Sequence, residues 1–233
     1  MLKVSHIQYK VNDIKKAVKE FEEACFTVMW GRDPKHADNA FVWFEEGPFI
    51  EIFEMKKKYS YFAPIMAVMY GKEAKQRWKH WYEVPEGWCD FALEAEDGIQ
   101  ADMGRINEIQ AYVNGKGVAT SKIINGNRTR PDGEKVRYAY FTSVPTELPF
   151  VVSTYQPRQR PETIVHKNGA VRVAELKVTA PEKLTKTIHA LAGQDRVLTI
   201  GGISEQKRLS VTLEFDRRIK PQGLIGKIFE IKM

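Results

Sequence analysis

From Leu2 to Val11 the chain alternates, with Ser5, Ile7, Tyr9 and Val11 on one face and Val4, His6, Gln8 and Lys10 on the other. A period of two marks a strand with one buried face. Asn12-Asp13 supplies a helix cap, and Ile14, Ala17, Val18 and Phe21 then recur at the spacing of an amphipathic helix. Further strands are predicted over Phe26 to Trp30, Asn39 to Phe44 and Phe49 to Met55. In the last of these Phe49, Glu51 and Phe53 share one face and Ile50 and Ile52 take the other. The helix must cover one face of the sheet, and Ile7, Tyr9, Val11, Ile50 and Ile52 are suited to meet it. His6 and Glu51 are thereby turned together toward the opposite, open face. An imidazole and a carboxylate from two strands of one sheet make a plausible half of a divalent-metal site.

The pattern then recurs. Residues 1–55 form a first βαβββ unit. Residues 56–86 break the strand rhythm and read as helical, either a connector packed on the sheet or a lid over its open face. A second βαβββ unit is predicted over 87–156. Its first strand, Gly87 to Ala95, carries Trp88, Asp90, Ala92 and Glu94 on one face. A helix follows near Ala101 to Asn114 with Met103, Ile106, Ile109 and Val113 inward, then a strand over Val118 to Ile124. Turns are expected at Asn125-Gly126-Asn127 and Arg130-Pro131-Asp132-Gly133. Strands over Val136 to Ser143 and Phe150 to Tyr155 close the unit. Aligning Asp13 with Asp97 sets Asp90 against His6, and aligning Pro48-Phe49 with Pro149-Phe150 sets Val152 against Glu51, or Ser153 if the register slips by one.

After a proline-bounded connector, a third and smaller βαβββ-like unit occupies 162–233. It comprises a strand over Val171 to Val178, a helix from Pro181 to Gly193, and strands over Val197 to Ile200, Leu209 to Phe215 and Leu224 to Ile231. The fold class is therefore α+β.

A hydrophobic content of 43% over 233 residues supports a substantial core. The net charge of +6 reads as a solvated, slightly basic surface. Nucleic acid would need a focused basic patch with stacking aromatics. The nearest approach, Lys75, Arg77, Lys79 and His80 beside Trp78 and Trp81, is explained by a helix with an exposed basic side. Tyr61 to Tyr70 is the longest low-polarity run and is too short to cross a bilayer. Cys25 and Cys89 are expected to be free, buried thiols. No leader is expected from the opening residues, and a soluble, cytoplasmic protein without nucleic-acid or membrane partners is expected. No nucleotide-binding glycine loop, zincin motif, serine-hydrolase elbow or C-x-x-C is present.

The stretches His6-Ile7-Gln8-Tyr9, His36 to Phe44, Phe49-Ile50-Glu51-Ile52, Glu86-Gly87-Trp88, Arg128 to Gly133, Leu148-Pro149-Phe150 and His166 to Ala170, in this order, resemble the glyoxalase-like branch of the vicinal oxygen chelate superfamily. The resemblance implies paired units around a shared cavity, with metal ligands from their first and last strands. His6, Glu51 and Asp90 become candidate ligands of one zinc, manganese, iron or nickel ion, with Glu51 also the candidate catalytic group. His36, Arg128, Arg130, Tyr138 and Tyr140 become candidate substrate contacts, an arginine pairing with an anionic group.

Two functions stay open. One is a metal-dependent lyase, isomerase or dioxygenase-type enzyme that stabilises an enolate or alkoxide by Lewis acidity. The other is a metal-free protein that binds or sequesters a small molecule, favoured by the missing carboxylate in the second unit's last strand. Without a metal, Arg128 or Arg130 is the expected partner of buried Glu51. A homodimer is also compatible.

Overall fold

The computed structural model describes residues 2–96, 105–204, 208–216, 223 and 225–232. The first unit runs β1 (Leu2–Val11), α1 (Ile14–Glu23), β2 (Met29–Trp30), β3 (Asn39–Val42) and β4 (Phe49–Glu54). Asp13 caps α1 as predicted, its side chain accepting from the Lys16 amide. A 3-10 turn over Lys57–Phe62 leads into α2 (Ala63–Tyr70) and α3 (Lys72–Glu83). The second unit runs β5 (Gly87–Ala95), α4 (Ile106–Gly115), β6 (Ala119–Thr120), β7 (Ile124–Thr129), β8 (Lys135–Phe141), β9 (Ser143–Val144) and β10 (Phe150–Val152). Asp97 and Met103, which the sequence placed before and within this helix, lie outside the described residues.

The two units join into one curled eight-stranded sheet, ordered β2-β3-β4-β1-β5-β10-β8-β7. Its centre is the antiparallel pair β1–β5, and each of these strands lies parallel to the closing strand of its own unit, β4 or β10. On one face, α1 and α4 bury Phe21, Ile109 and Val113 against Ile7, Ile50, Phe91 and Leu93. Burying such side chains stabilises the fold by roughly 1.5–3 kcal/mol each. The other face is concave and carries the polar residues of β1 and β4.

The third unit comprises β11 (Ala170–Ala180), α5 (Glu182–Ala192), β12 (Leu198–Ile203), β13 (Arg208–Phe215), the one-turn helix α6 (Ile225–Ile228) and β14 (Glu230–Lys232). It keeps the element order but not the strand order. Its sheet runs β12-β11-β13-β14, with β11 directly parallel to β12. Leu176, Ile188, Val211 and Leu213 join the same core. The strand predicted over 224–231 is a helical turn followed by a short strand, and Leu224 lies outside the described residues. His166 fastens this part of the chain to the first unit. Its Nδ1 accepts from the Thr27 amide at 3.0 Å and its Nε2 lies 2.9 Å from the Trp43 carbonyl.

Some local readings are corrected. The register of β1 against β5 shifts between Val4 and His6 and again between Gln8 and Tyr9. An extra residue in one strand resets the alternation of faces. Val4 therefore joins the core with Leu2, while Trp88 packs its ring 4.8 Å from Tyr9, away from Asp90. Asn125-Gly126-Asn127 lies within β7 rather than in a turn. Cys25 is exposed and adopts a φ of 63° just past the end of α1, while Cys89 is buried.

Candidate active site

On the concave face a cavity of about 250 Å³ lies over β1, β4, β8 and β10. It exists because α3 roofs the sheet. Ala74, Arg77, Trp78 and Trp81 recur at i, i+3, i+4 and i+7 and form the stripe that meets the strands. Arg77 is fully buried, which corrects its expected place on a solvated basic side. Its guanidinium bonds Asp90 at 2.5 Å, the Thr146 carbonyl at 2.8 Å, and the carbonyls of Ser143 and Leu148. This ties the roof to the second unit. Asp90 is itself fully buried and also accepts from the Trp81 indole at 3.0 Å.

The polar centre comes from the first unit. Pairing of β1 with β4 sets Gln8 beside Glu51 and His6 beside Phe49. The Gln8 amide donates to one Glu51 carboxylate oxygen at 2.9 Å and the Asn39 amide donates to the other at 2.8 Å. His6 Nε2 lies 3.4 Å from Glu51, and its Nδ1 lies 3.4 Å from the Ser5 hydroxyl. The His6 ring stacks on Phe49 at 4.8 Å and meets the edge of Phe150 at 5.5 Å. Burial pushes the Glu51 carboxyl up. The adjoining His6, Gln8 and Asn39 outweigh it and hold the group at about 2. Glu51 is thus a fixed negative charge, its side chain 15% exposed.

A missing side chain at Gly31 makes room for this arrangement. A Cβ there would lie 2.0 Å from Asn39 Oδ1, displacing a donor of Glu51. The Gly31 carbonyl also accepts from Arg128 at 2.6 Å. Across the cavity, Gly126 leaves space for the Tyr138 ring, which a Cβ would approach to 2.5 Å.

The other candidate residues are dispersed. Arg128 lines the cavity with its guanidinium 4.7 Å above the Phe41 ring, and its terminal nitrogens reach Gly31 and Gln159. Burial draws it below the usual arginine value. Arg130 pairs with Asp132 at 2.6 Å and Glu134 at 2.7 Å in the turn after β7. The expectation that Arg128 or Arg130 satisfies Glu51 is corrected: Gln8, Asn39 and His6 do so. His36 is exposed and lines a separate depression with Asp13 and Lys56. Tyr138 and Tyr140 line the cavity, and burial, the larger cause, raises both phenols. Tyr155, not singled out in the sequence, completes this wall 5.3 Å from Tyr138.

Register also shows how the units correspond. His6 faces Phe49 across β1–β4, and Ala92 faces Phe150 across β5–β10. With Phe49 and Phe150 matched, the counterpart of His6 is Ala92, two residues from Asp90. The counterpart of Glu51 is Val152. Neither Ala92 nor Val152 can ligate a metal. Asp90 is bonded to Arg77 and Trp81, and among the described residues no group of three His, Cys, Asp or Glu side chains could hold an ion. The donors present do not fit a metal centre formed by His6, Glu51 and Asp90.

The comparisons agree with this architecture. The chain superposes on a hypothetical protein from Staphylococcus aureus with a TM-score of 0.67 at 12% identity, over 99% of this chain and 98% of that one. It superposes on the Mn(II)-bound glyoxalase from Novosphingobium aromaticivorans with a TM-score of 0.52 at 11% identity, over 91% of this chain and 65% of that one. At these identities the likeness is one of fold. The chain spans slightly less than two thirds of that glyoxalase. No curated protein sequence matches the chain. A family model described as a glyoxalase-like domain matches residues 4–193. The chain therefore belongs to the glyoxalase-like domain family.

Proposed function

We propose that this protein binds a small organic molecule in the cavity over β1, β4, β8 and β10, without a divalent ion held by His6, Glu51 and Asp90. The observation that carries the reading is the buried Arg77–Asp90 pair at 2.5 Å. It commits the third candidate ligand to holding the roof. Removing either partner would leave an uncompensated buried charge at a cost of about 3–5 kcal/mol.

The remaining groups suit recognition. Phe41, Tyr138, Tyr140, Phe150 and Tyr155 offer ring faces and edges to an apolar or planar body. Glu51, ionised and oriented by two amides, accepts a hydrogen bond from a hydroxyl or amine of the ligand. With its proton affinity so low it is a weak general base near neutral pH. It serves better as an anchor. Both ring nitrogens of His6 already face protein oxygens, which orients the ring beneath Phe49.

The second reading is a metal-dependent enzyme. In its favour, the 3.4 Å between His6 Nε2 and Glu51 is within the span that two ligands of one ion can bridge, at most about 4.4 Å. Metal analysis of the purified protein, followed by titration with zinc and manganese, separates the readings. The binding-protein reading expects substoichiometric metal and no saturable uptake. One equivalent of metal, lost in His6→Ala, would establish the second reading instead.

A further inference from the structure

We propose that the outer surface of the cavity roof docks onto an anionic lipid bilayer. Tyr61, Ile65, Val68 and Met69 are 62%, 47%, 84% and 53% exposed, and Phe62 joins them at 37%. They project from the 3-10 turn and α2, a stretch that holds no charged residue between Lys58 and Lys72. A helix so apolar around its circumference is normally buried on all sides, whereas α2 meets the protein mainly along α3 and the preceding turn. Contiguous exposed apolar surface of this kind marks an interaction site.

The ends of the patch identify the partner. Lys56, Lys57 and Lys58 precede it and Lys72 and Lys75 follow it, all exposed. Glu54 pairs with Lys56 at 3.3 Å and Glu73 lies in the first turn of α3. The remaining lysines, Lys57, Lys58, Lys72 and Lys75, are exposed at the two ends of the apolar stretch. That combination fits a surface of acyl chains beneath anionic headgroups. A second copy docking face to face would oppose one lysine rim with another. Among the described residues no helix is long and apolar enough to cross a membrane, so the contact is peripheral.

Docking here would bring the bilayer against the roof of the cavity. The Trp78 indole donates to the Tyr59 carbonyl at 2.9 Å, and Trp78 also lines the cavity. The patch and the binding site thus share one set of helices.

The test is co-sedimentation of the full chain with vesicles of phosphatidylcholine alone and of phosphatidylcholine containing about a third phosphatidylserine. The protein is expected to pellet with the anionic vesicles, and about 1 M salt should reduce that binding to the level seen with phosphatidylcholine alone, because it screens the lysines. Val68→Asp combined with Met69→Asp, both at exposed positions, should lower the partition coefficient by at least about tenfold. Lys57→Glu with Lys58→Glu should remove the preference for anionic lipid. Failure of the unmodified protein to pellet with anionic vesicles overturns the proposal whatever the variants do. So does a dimer seen by light scattering that Val68→Asp dissociates, which would assign the patch to a second copy.

Discussion

In the first half of the eight-stranded sheet, β1 and β4 aim His6, Gln8 and Glu51 at the cavity. In the second half, β5 and β10 place Ala92 and Val152 at the positions matching His6 and Glu51. The carboxylate that β5 does carry, Asp90, is fully buried under the roof with Arg77. One half therefore supplies the charge that lines the cavity, and the other supplies an aromatic wall and the anchor of the roof. Two units with the same strand plan thus carry different side chains at matching positions.

The largest expected effect comes from breaking the structural half. Arg77→Met should destabilise the protein by about 3–5 kcal/mol in urea unfolding, because Asp90 would stay buried and unpaired. Arg77→Met combined with Asp90→Leu should recover most of that loss. If the single variant is silent, the anchor is assigned wrongly.

The comparison can also be erased. Ala92→His with Val152→Glu supplies the second half with the donors it lacks. Calorimetric titration with zinc should then show affinity raised by about a hundredfold or more, equivalent to roughly 3 kcal/mol. An unchanged affinity would mean that the register match between the two halves does not translate into facing donors.

The first half predicts an acid response. Glu51 is held at about 2, well below the ordinary carboxylate value of 4.5. A depressed native value means the unfolded state binds the proton more readily. Its contribution to stability is complete above about pH 4.5 and is lost as pH falls toward 2. The loss should be on the order of 2–3 kcal/mol, and Glu51→Gln should flatten the stability–pH curve across that window. The smallest effect is expected at Gly31. Gly31→Ala should cost about 1–2 kcal/mol as Asn39 is displaced, and it should raise the apparent proton affinity of Glu51 in a carbon-13 NMR titration.

The central pair of the site was legible in the sequence because strand parity is a strong constraint. Ile7 and Tyr9 had to meet a helix, as did Ile50 and Ile52, so His6 and Glu51 had to share the other face. The shifts near Ser5 and Cys89 were hidden because a bulge leaves no compositional mark at an ordinary serine or cysteine. Gln8 and Asn39 were passed over as site residues because single amides give no motif. Their role depends on a cross-strand register that only pairing reveals. The Arg77–Asp90 bond was missed although a signal existed. An arginine on the same helical stripe as Ala74, Trp78 and Trp81 requires a buried anion, and Asp90 lay on the facing strand. The run over Tyr61 to Tyr70 was read as too short to span a bilayer and no membrane partner was expected; among the described residues no helix is long and apolar enough to cross a membrane, which does not bear on lying against one.

The most direct test of the divided sheet is a crystal of the unmodified protein soaked in manganese chloride and measured for anomalous scattering. The account predicts no anomalous peak among His6, Glu51 and Asp90, with Asp90 still bonded to Arg77. A peak about 2.0–2.2 Å from both His6 Nε2 and a Glu51 oxygen, with Asp90 released from Arg77 to complete the shell, would contradict it.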